Sequence, residues 1–349
     1  MHNVSGGLME NALRTRGIPI AGSLALSAVL VALLLAACGA DPLATASALW
    51  RGALGSPYTI GQTLTIATVL ALTGLAACLP FTAKLWNVGA EGQLYAGGTA
   101  SVLVGLSLPD ALPGPAVAVL ATVAGALGGA LWAAVPGLLA AFVGASEMIV
   151  SLLLNFVATT AASYVITSVV PDSSGQGTQR LPRDARLLTL WPAGGVTVAL
   201  VIAVVAVLLA AFVLRWTRFG FSVRAVGLGR DSARLAGFST RSVTVSTFAI
   251  GGAAAGLAGA ALVLGSAGQM TLGMSANYGF IGVAVALVAG LRPLPILLSA
   301  VVFAALSVGS NNLQVAVGLP KDLGSVLVAV LVLALLATHV IRLRREGSR

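Results

Sequence analysis

Nine stretches of this chain carry no Asp, Glu, Lys or Arg: 17–40, 52–83, 92–109, 111–146, 148–171, 187–214, 242–291, 293–320 and 323–341. A helix crosses the hydrocarbon core of a bilayer with about 20 apolar residues. Most of these stretches are that long. Only 8% of the residues are charged and the mean hydropathy is +1.01. A soluble domain carries about 25% charged residues, so water is not the main solvent of this protein. An all-α polytopic membrane protein is expected.

The stretch 242–291 is long enough for two helices and has a polar waist, Ser266 to Asn277, with Gly265, Gly268 and Gly273. Counting it twice gives about ten spans, near 18–38, 59–80, 92–108, 115–143, 148–170, 196–214, 244–265, 277–291, 294–311 and 323–341. The span at 92–108 is barely long enough and is expected to be short or broken. The one at 115–143 holds Pro136 and is expected to tilt or kink. Together they make one transmembrane domain, 18–341, between a cytoplasmic segment 1–17 and a cytoplasmic tail 342–349.

Orientation follows from Lys and Arg in the loops. With the N-terminus inside, fourteen cations fall on the cytoplasmic side and five (Arg51, Arg180, Arg183, Arg186 and Lys321) fall outside. The opposite threading reverses the split, so both termini are expected in the cytoplasm. The formal charge of +9 therefore reflects an anionic membrane face, not a nucleic acid polymer. Arg14 and Arg16 precede an apolar run that ends Leu35-Ala36-Ala37-Cys38-Gly39, like a lipoprotein signal. Further spans follow it, so 18–38 is expected to be a retained first helix. The cysteines, Cys38 and Cys78, lie in apolar runs and form no framework.

Two small-residue runs, Gly125-Ala126-Leu127-Gly128-Gly129 and Gly251 through Ala260, fit close helix–helix contacts. Loop 171–195 is polar and faces outward. Loop 215–243 carries six Arg and one Asp, with apolar Ala225, Leu228, Ala233, Leu235, Ala236 and Phe238 at intervals. That spacing suggests a short amphipathic helix resting against something.

Several chemistries have no basis. Neither lysine, Lys84 or Lys321, closes a Gly-Lys-Ser/Thr phosphate loop. His2 and His339 stand at opposite ends, and the cysteines lack ligand spacing. No Ser, His and acid grouping suggests a hydrolase. No enzyme activity, metal or cofactor is expected.

The densest polar group at membrane depth is Lys84-Leu85-Trp86-Asn87-Val88-Gly89-Ala90-Glu91-Gly92-Gln93. If it opens a helix, Asn87 and Glu91 share a face one turn apart. Ionisable residues here are costly and usually face a cavity or a partner. Glu147, with Ser146, is expected to cap a helix start, and Asn155 follows two turns on. Asn277, Tyr278, Ser310, Asn311, Asn312 and Gln314 are further polar groups near the outer half.

These residues carry a family resemblance. Asn87-Val88-Gly89-Ala90-Glu91-Gly92-Gln93 resembles the N-[IV]-G-x-E-G-Q signature of bacterial nucleoside and simple-sugar ABC importer permeases. Glu147 through Asn155 is similar to the family's E-x-[IV]-x-x-L-x-L-N segment. Arg218-Phe219-Gly220 through Gly237 resembles its cytoplasmic coupling loop. Tyr278-Gly279-Phe280 and Gly309 through Gln314 resemble later blocks. Leu291-Arg292-Pro293 departs from the Gly/Asn-rich turn common in relatives. The segment before residue 55 resembles the longer of two permeases.

The resemblance implies a type II ABC importer permease in the bacterial inner membrane, with a probable internal repeat. Asn87 before Gly89 and Asn277 before Gly279 hint at repeat-related positions. It implies a second permease, different or identical, a separate ATPase subunit, and an extracytoplasmic substrate-binding protein. The cargo would be a nucleoside or simple sugar. Asn87, Glu91, Gln93, Asn155 and Asn277 are candidate pathway groups. Arg230, Asp231, Ala233, Arg234, Leu235, Ala236 and Gly237 are candidates for coupling to the ATPase. The rival reading is an ion-coupled secondary transporter with a proton site at Glu91 or Glu147.

Overall fold

The computed structural model describes residues 41–108 and 112–317. The expected spans at 18–38 and 323–341, and both tails, lie outside these residues. The chain divides into two units, Pro57–Ala304 and Met1–Ser56 with Ala305–Arg349. In the second unit α1 (Pro42–Leu54) starts at Asp41, whose side chain accepts from the Leu43 N–H, with Pro at the first helical position. The expected spans do not cover 41–56, although Asp41-Pro42 is a helix-start signal. In this unit α1 comes close to Gly309: a Cβ there would lie 2.6 Å from the Leu49 carbonyl oxygen.

The larger unit opens with α2 (Pro57–Thr82), continues through an irregular segment, 85–89, to α3 (Ala90–Ser107), and then α4 (Gly114–Leu138). Next come α5 (Glu147–Tyr164), loop 171–195 with the short antiparallel pair β1 (Thr189–Trp191) and β2 (Val196–Thr197), and α6 (Ala199–Trp216). Two short helices follow, α7 (Arg218–Leu228) and α8 (Arg230–Leu235). The last helices are α9 (Thr240–Leu262), α10 (Tyr278–Val288) and the part of α11 (Pro293–Val317) up to Ala304. Helices α4, α5 and α9 each run on into a single π turn, at Leu139–Val143, Val165–Val169 and Val263–Ala267. The turn after α4 begins three residues past Pro136, in the span where a kink was expected.

Among the described residues, six helices are long and apolar enough to cross a membrane: Pro57–Thr82, Gly114–Val143, Glu147–Val169, Ala199–Trp216, Thr240–Gly265 and Pro293–Asn311. α2 and α9 are the most buried of these, and α4, α5 and α6 the most exposed. The expected span at 277–291 is corrected to the 11-residue helix α10. Eleven residues reach about 16 Å, about half the hydrocarbon core. The cause is the polar waist: Gly268 and Asn277 both take φ +61°, left-handed conformations that no α-helix carries, so helix stops and resumes across it.

The two small-residue runs meet each other. A Cβ on Gly129 in α4 would lie 2.7 Å from the Gly256 Cα in α9, and one on Gly125 would lie 2.8 Å from the Ala260 Cβ. Gly97 of α3 completes the contact, with a Cβ there 2.8 Å from the Gly125 carbonyl oxygen. Only glycine permits backbones this close, where lipid supplies no hydrophobic drive.

Loop 171–195 is held down on the segment that follows α9. Thr178 N–H donates to the Met270 carbonyl (2.8 Å), Leu272 N–H to Gln176 (3.0 Å), Leu181 N–H to Gly268 (2.8 Å) and Leu187 N–H to Leu264 (2.9 Å). At its tip the Asp172 carboxyl accepts from the Ser174 hydroxyl and N–H, which holds it below the usual carboxylate range.

Candidate functional site: a buried polar junction and an exposed platform

The expected helix shared by Asn87 and Glu91 is corrected. α3 starts at Ala90, with Gly89 as its N-cap, and Asn87 sits in the irregular lead-in. That segment climbs back along α2. Its position follows from Pro80, which lies inside α2 and has no N–H for the carbonyl four residues earlier, that of Ala76. The Asn87 Nδ2 donates to that carbonyl at 3.1 Å. Asn87 also exchanges two hydrogen bonds with Gln93, at 3.2 and 2.9 Å, and its Oδ1 accepts from the Gly89 N–H at 3.1 Å.

Asn155 of α5 clamps the other side of the same segment. Its Oδ1 accepts from the Gly92 N–H (2.8 Å) and its Nδ2 donates to the Val88 carbonyl (3.0 Å). One turn earlier, the Ser151 hydroxyl accepts from the Val88 N–H at 3.3 Å. Glu91 turns toward α10, where its Oε2 accepts from the Gly279 N–H at 2.7 Å. Thr73 of α2 secures the same helix start by donating to the Tyr278 carbonyl at 3.1 Å. The N-termini of α3 and α10 therefore meet inside the bundle, and Glu91 sits in the first turn of one and bonds the first turn of the other. An anionic or polar acceptor is favoured at both.

Four of the five pathway candidates come together here, and all four are buried: Asn87 0%, Glu91 5%, Gln93 1% and Asn155 4% exposed. Their polar atoms are taken up by backbone and by one another. Asn277 is apart from them: it is exposed, and as the N-cap of α10 its side chain makes no capping bond. Ser146 caps α5 without a side-chain bond, contrary to expectation, and the Glu147 carboxyl lies 3.4 Å from the Trp86 N–H. The side chains of Asn312 and Gln314 fall outside the described residues. Sequence reading missed Thr73 and Ser151. The orphaned Ala76 carbonyl was signalled by Pro80.

The second assembly is built from loop 215–243. It contains two helices where one was expected. Thr217 caps α7, accepting from the Gly220 N–H at 3.1 Å. Ala225, Ala233 and Phe238 pack inward with Leu79, Ala83, Leu85, Val223 and Val226. Leu228 and Leu235 do not join them; they are 86% and 90% exposed. The coupling candidates thus form α8 and its exit. Ala233 is buried, Arg230 donates to the Thr244 hydroxyl at 3.2 Å, and Asp231, Arg234, Leu235, Ala236 and Gly237 are exposed. Gly237 takes φ +87° and its N–H donates to the Arg234 carbonyl, which ends the helix. The platform shows two large apolar side chains among arginines, at the end of the bundle with no loop 171–195.

Such a bundle, with six helices long and apolar enough to cross a membrane, an interior polar junction and a cationic platform at one end, is that of a multi-pass membrane protein. Residues 59–336 match the family described as branched-chain amino acid transport system / permease component, and the chain belongs to that family. It is 32% identical to the guanosine ABC transporter permease protein NupP of Bacillus subtilis, over 86% of this chain and 89% of that one. It is 34% identical to the glucose ABC transporter permease protein TsgB13 of Haloferax volcanii, over 90% and 85%. It is 29% identical to the nucleoside ABC transporter permease protein NupB of Lactococcus lactis, over 95% and 94%. The protein is an ABC transporter permease, and the ion-coupled alternative falls away.

Proposed function

We propose that this chain, with a second permease subunit, forms the route for a nucleoside or simple sugar handed over by an extracytoplasmic substrate-binding protein. ATP is hydrolysed on separate subunits. The named cargoes of the relatives, guanosine, nucleosides and glucose, support a hydroxyl-rich solute. We take the transmembrane domain as 18–341 in about ten segments, both termini cytoplasmic, by the charge split. The two interrupted pairs, α2 with α3 and α9 with α10, support an internal repeat whose equivalent positions are Asn87 and Asn277.

The observation that carries the reading is the platform. Leu228 and Leu235 stand almost fully exposed on a segment that also carries exposed Arg230 and Arg234, a mixed apolar and cationic surface suited to a protein partner. We assign residues 230–237 to contact with the ATPase. Asn87, Glu91, Gln93 and Asn155 act on the route through the backbone they hold, while exposed Asn277 is free to face it.

The test is uptake in proteoliposomes with cognate ATPase and binding protein. Arg234→Glu reverses a platform charge. Gly237→Pro needs φ near −65° where the chain holds +87° and removes a bonded N–H. Both variants are expected to insert normally yet lose ATP-driven uptake by at least tenfold. Wild-type uptake in both would overturn the assignment.

A further inference from the structure

α5 turns one face outward along its whole length, and that face changes character halfway. Leu153, Phe156 and Val157 are 59%, 66% and 53% exposed. At the same three- and four-residue spacing the face continues as Thr160, Tyr164 and Thr167, all exposed. The change falls thirteen residues past Glu147, about 20 Å along a span that, with the π turn to Val169, is about 34 Å long. Thr160 thus sits within the depth of the hydrocarbon core.

Ser and Thr hydroxyls in membrane helices commonly bond a carbonyl one turn earlier. Thr159, Ser163 and Thr167 do so, donating to Asn155 (3.0 Å), Thr159 (2.9 Å) and Ser163 (3.0 Å). Thr160 and Tyr164 do not: among the described residues neither hydroxyl has a hydrogen-bond partner. The helix then loosens into the π turn Val165–Val169, a distortion found often at functional sites. The unpartnered Thr160 hydroxyl is costly against lipid tails at this depth, and Tyr164, one turn nearer loop 171–195, adds a second free hydroxyl on the same face. They suit a water-filled route carrying a solute with hydroxyls of its own.

We propose that Thr160 and Tyr164 line the half of the solute route nearest loop 171–195 and hydrogen-bond a polyhydroxylated solute. Leu153, Phe156 and Val157 form the dry closure beyond it, as hydrophobic constrictions close channels by excluding water. The inference rests on the permease reading and deepens it. It places the polar contacts on an exposed helix face, away from the buried amides of the junction.

Single-cysteine variants T160C and F156C, in a C38S/C78A background, are assembled with ATPase and binding protein in proteoliposomes. They are then treated with a charged, membrane-impermeant methanethiosulfonate. T160C is expected to react, and saturating solute to slow the reaction severalfold; F156C is expected to stay unreactive without ATP. In the native-cysteine protein, Thr160→Val with Tyr164→Phe is expected to raise the uptake KM on the order of five-fold, one or two hydrogen bonds' worth. An unreactive T160C, or a double variant with wild-type KM, would overturn the proposal: the face would then meet lipid or the second permease. Either result leaves wild-type ATP-driven uptake in place. Its absence would instead count against the permease reading.

Discussion

The Glu91 carboxyl and the Gly279 N–H, 188 residues apart in sequence, meet at 2.7 Å inside the bundle. The contact is close because Gly279 has no side chain; a Cβ there would collide with the backbone of Ala90 and Glu91. One side chain from α3 thus supplies the acceptor that the first turn of α10 lacks. Free N–H groups at a helix start find no water at this depth.

Glu91→Ala leaves that N–H buried without an acceptor, a loss of about 1–3 kcal/mol. Glu91→Gln keeps an acceptor oxygen. Thermal melting of the purified transporter is expected to drop clearly for the alanine variant and less for the glutamine. Uptake should follow the same order. Equal melting of the alanine variant and the wild type would show that the contact holds nothing.

Asn87 donates to the Ala76 carbonyl because Pro80 cannot. Asn87→Ala is expected to destabilise by about 1–3 kcal/mol. Pro80→Ala restores an N–H to that carbonyl, so the Asn87 change should cost about 0.5–1 kcal/mol less in its presence. The check is a double-mutant cycle on unfolding. Simple additivity would mean that the carbonyl is satisfied another way.

Gly177 and Thr271 pair antiparallel, and the bonds flank them: Thr178 to Met270 and Leu272 to Gln176. They are therefore a non-hydrogen-bonded pair, with Cα atoms about 4.5 Å apart, inside the disulfide range. G177C/T271C in the C38S/C78A background is expected to lose both free thiols on mild oxidation. A Cβ on Gly177 would lie 3.1 Å from the end of the Gln269 side chain and 3.3 Å from the Met270 carbonyl oxygen, so both must shift by a few tenths of an ångström. Thiols that stay free would show that loop 171–195 does not rest on the segment after α9.

Much of this was legible in the residues, and the failures have physical causes. Apolar length located six long helices, and the glycine runs at 125–129 and 251–260 announced a contact that forms between them. Apolar length says nothing of direction, so 277–291 passed for a full span when α10 is half of one. The Asn87–Glu91 spacing fits a helical face, but Gly89 starts the helix too late for Asn87 to lie on it. Arg-rich composition hid α7, whose inward face is built of Gly220, Val223 and Val226. The buried state of Asn87, Glu91, Gln93 and Asn155 could not be read from polarity, because a satisfied amide and a solute-binding amide look alike in one dimension.

The brevity of α10 also governs how the chain enters its membrane. Tyr278–Val288 is too short for the insertion machinery to release as a span. Its Gly279 N–H donates to Glu91 and its Tyr278 carbonyl accepts from Thr73, both made far earlier in synthesis. A half-helix that relies on such partners is expected to settle only once α2 and α3 are in place, so the segment that closes on them would come last.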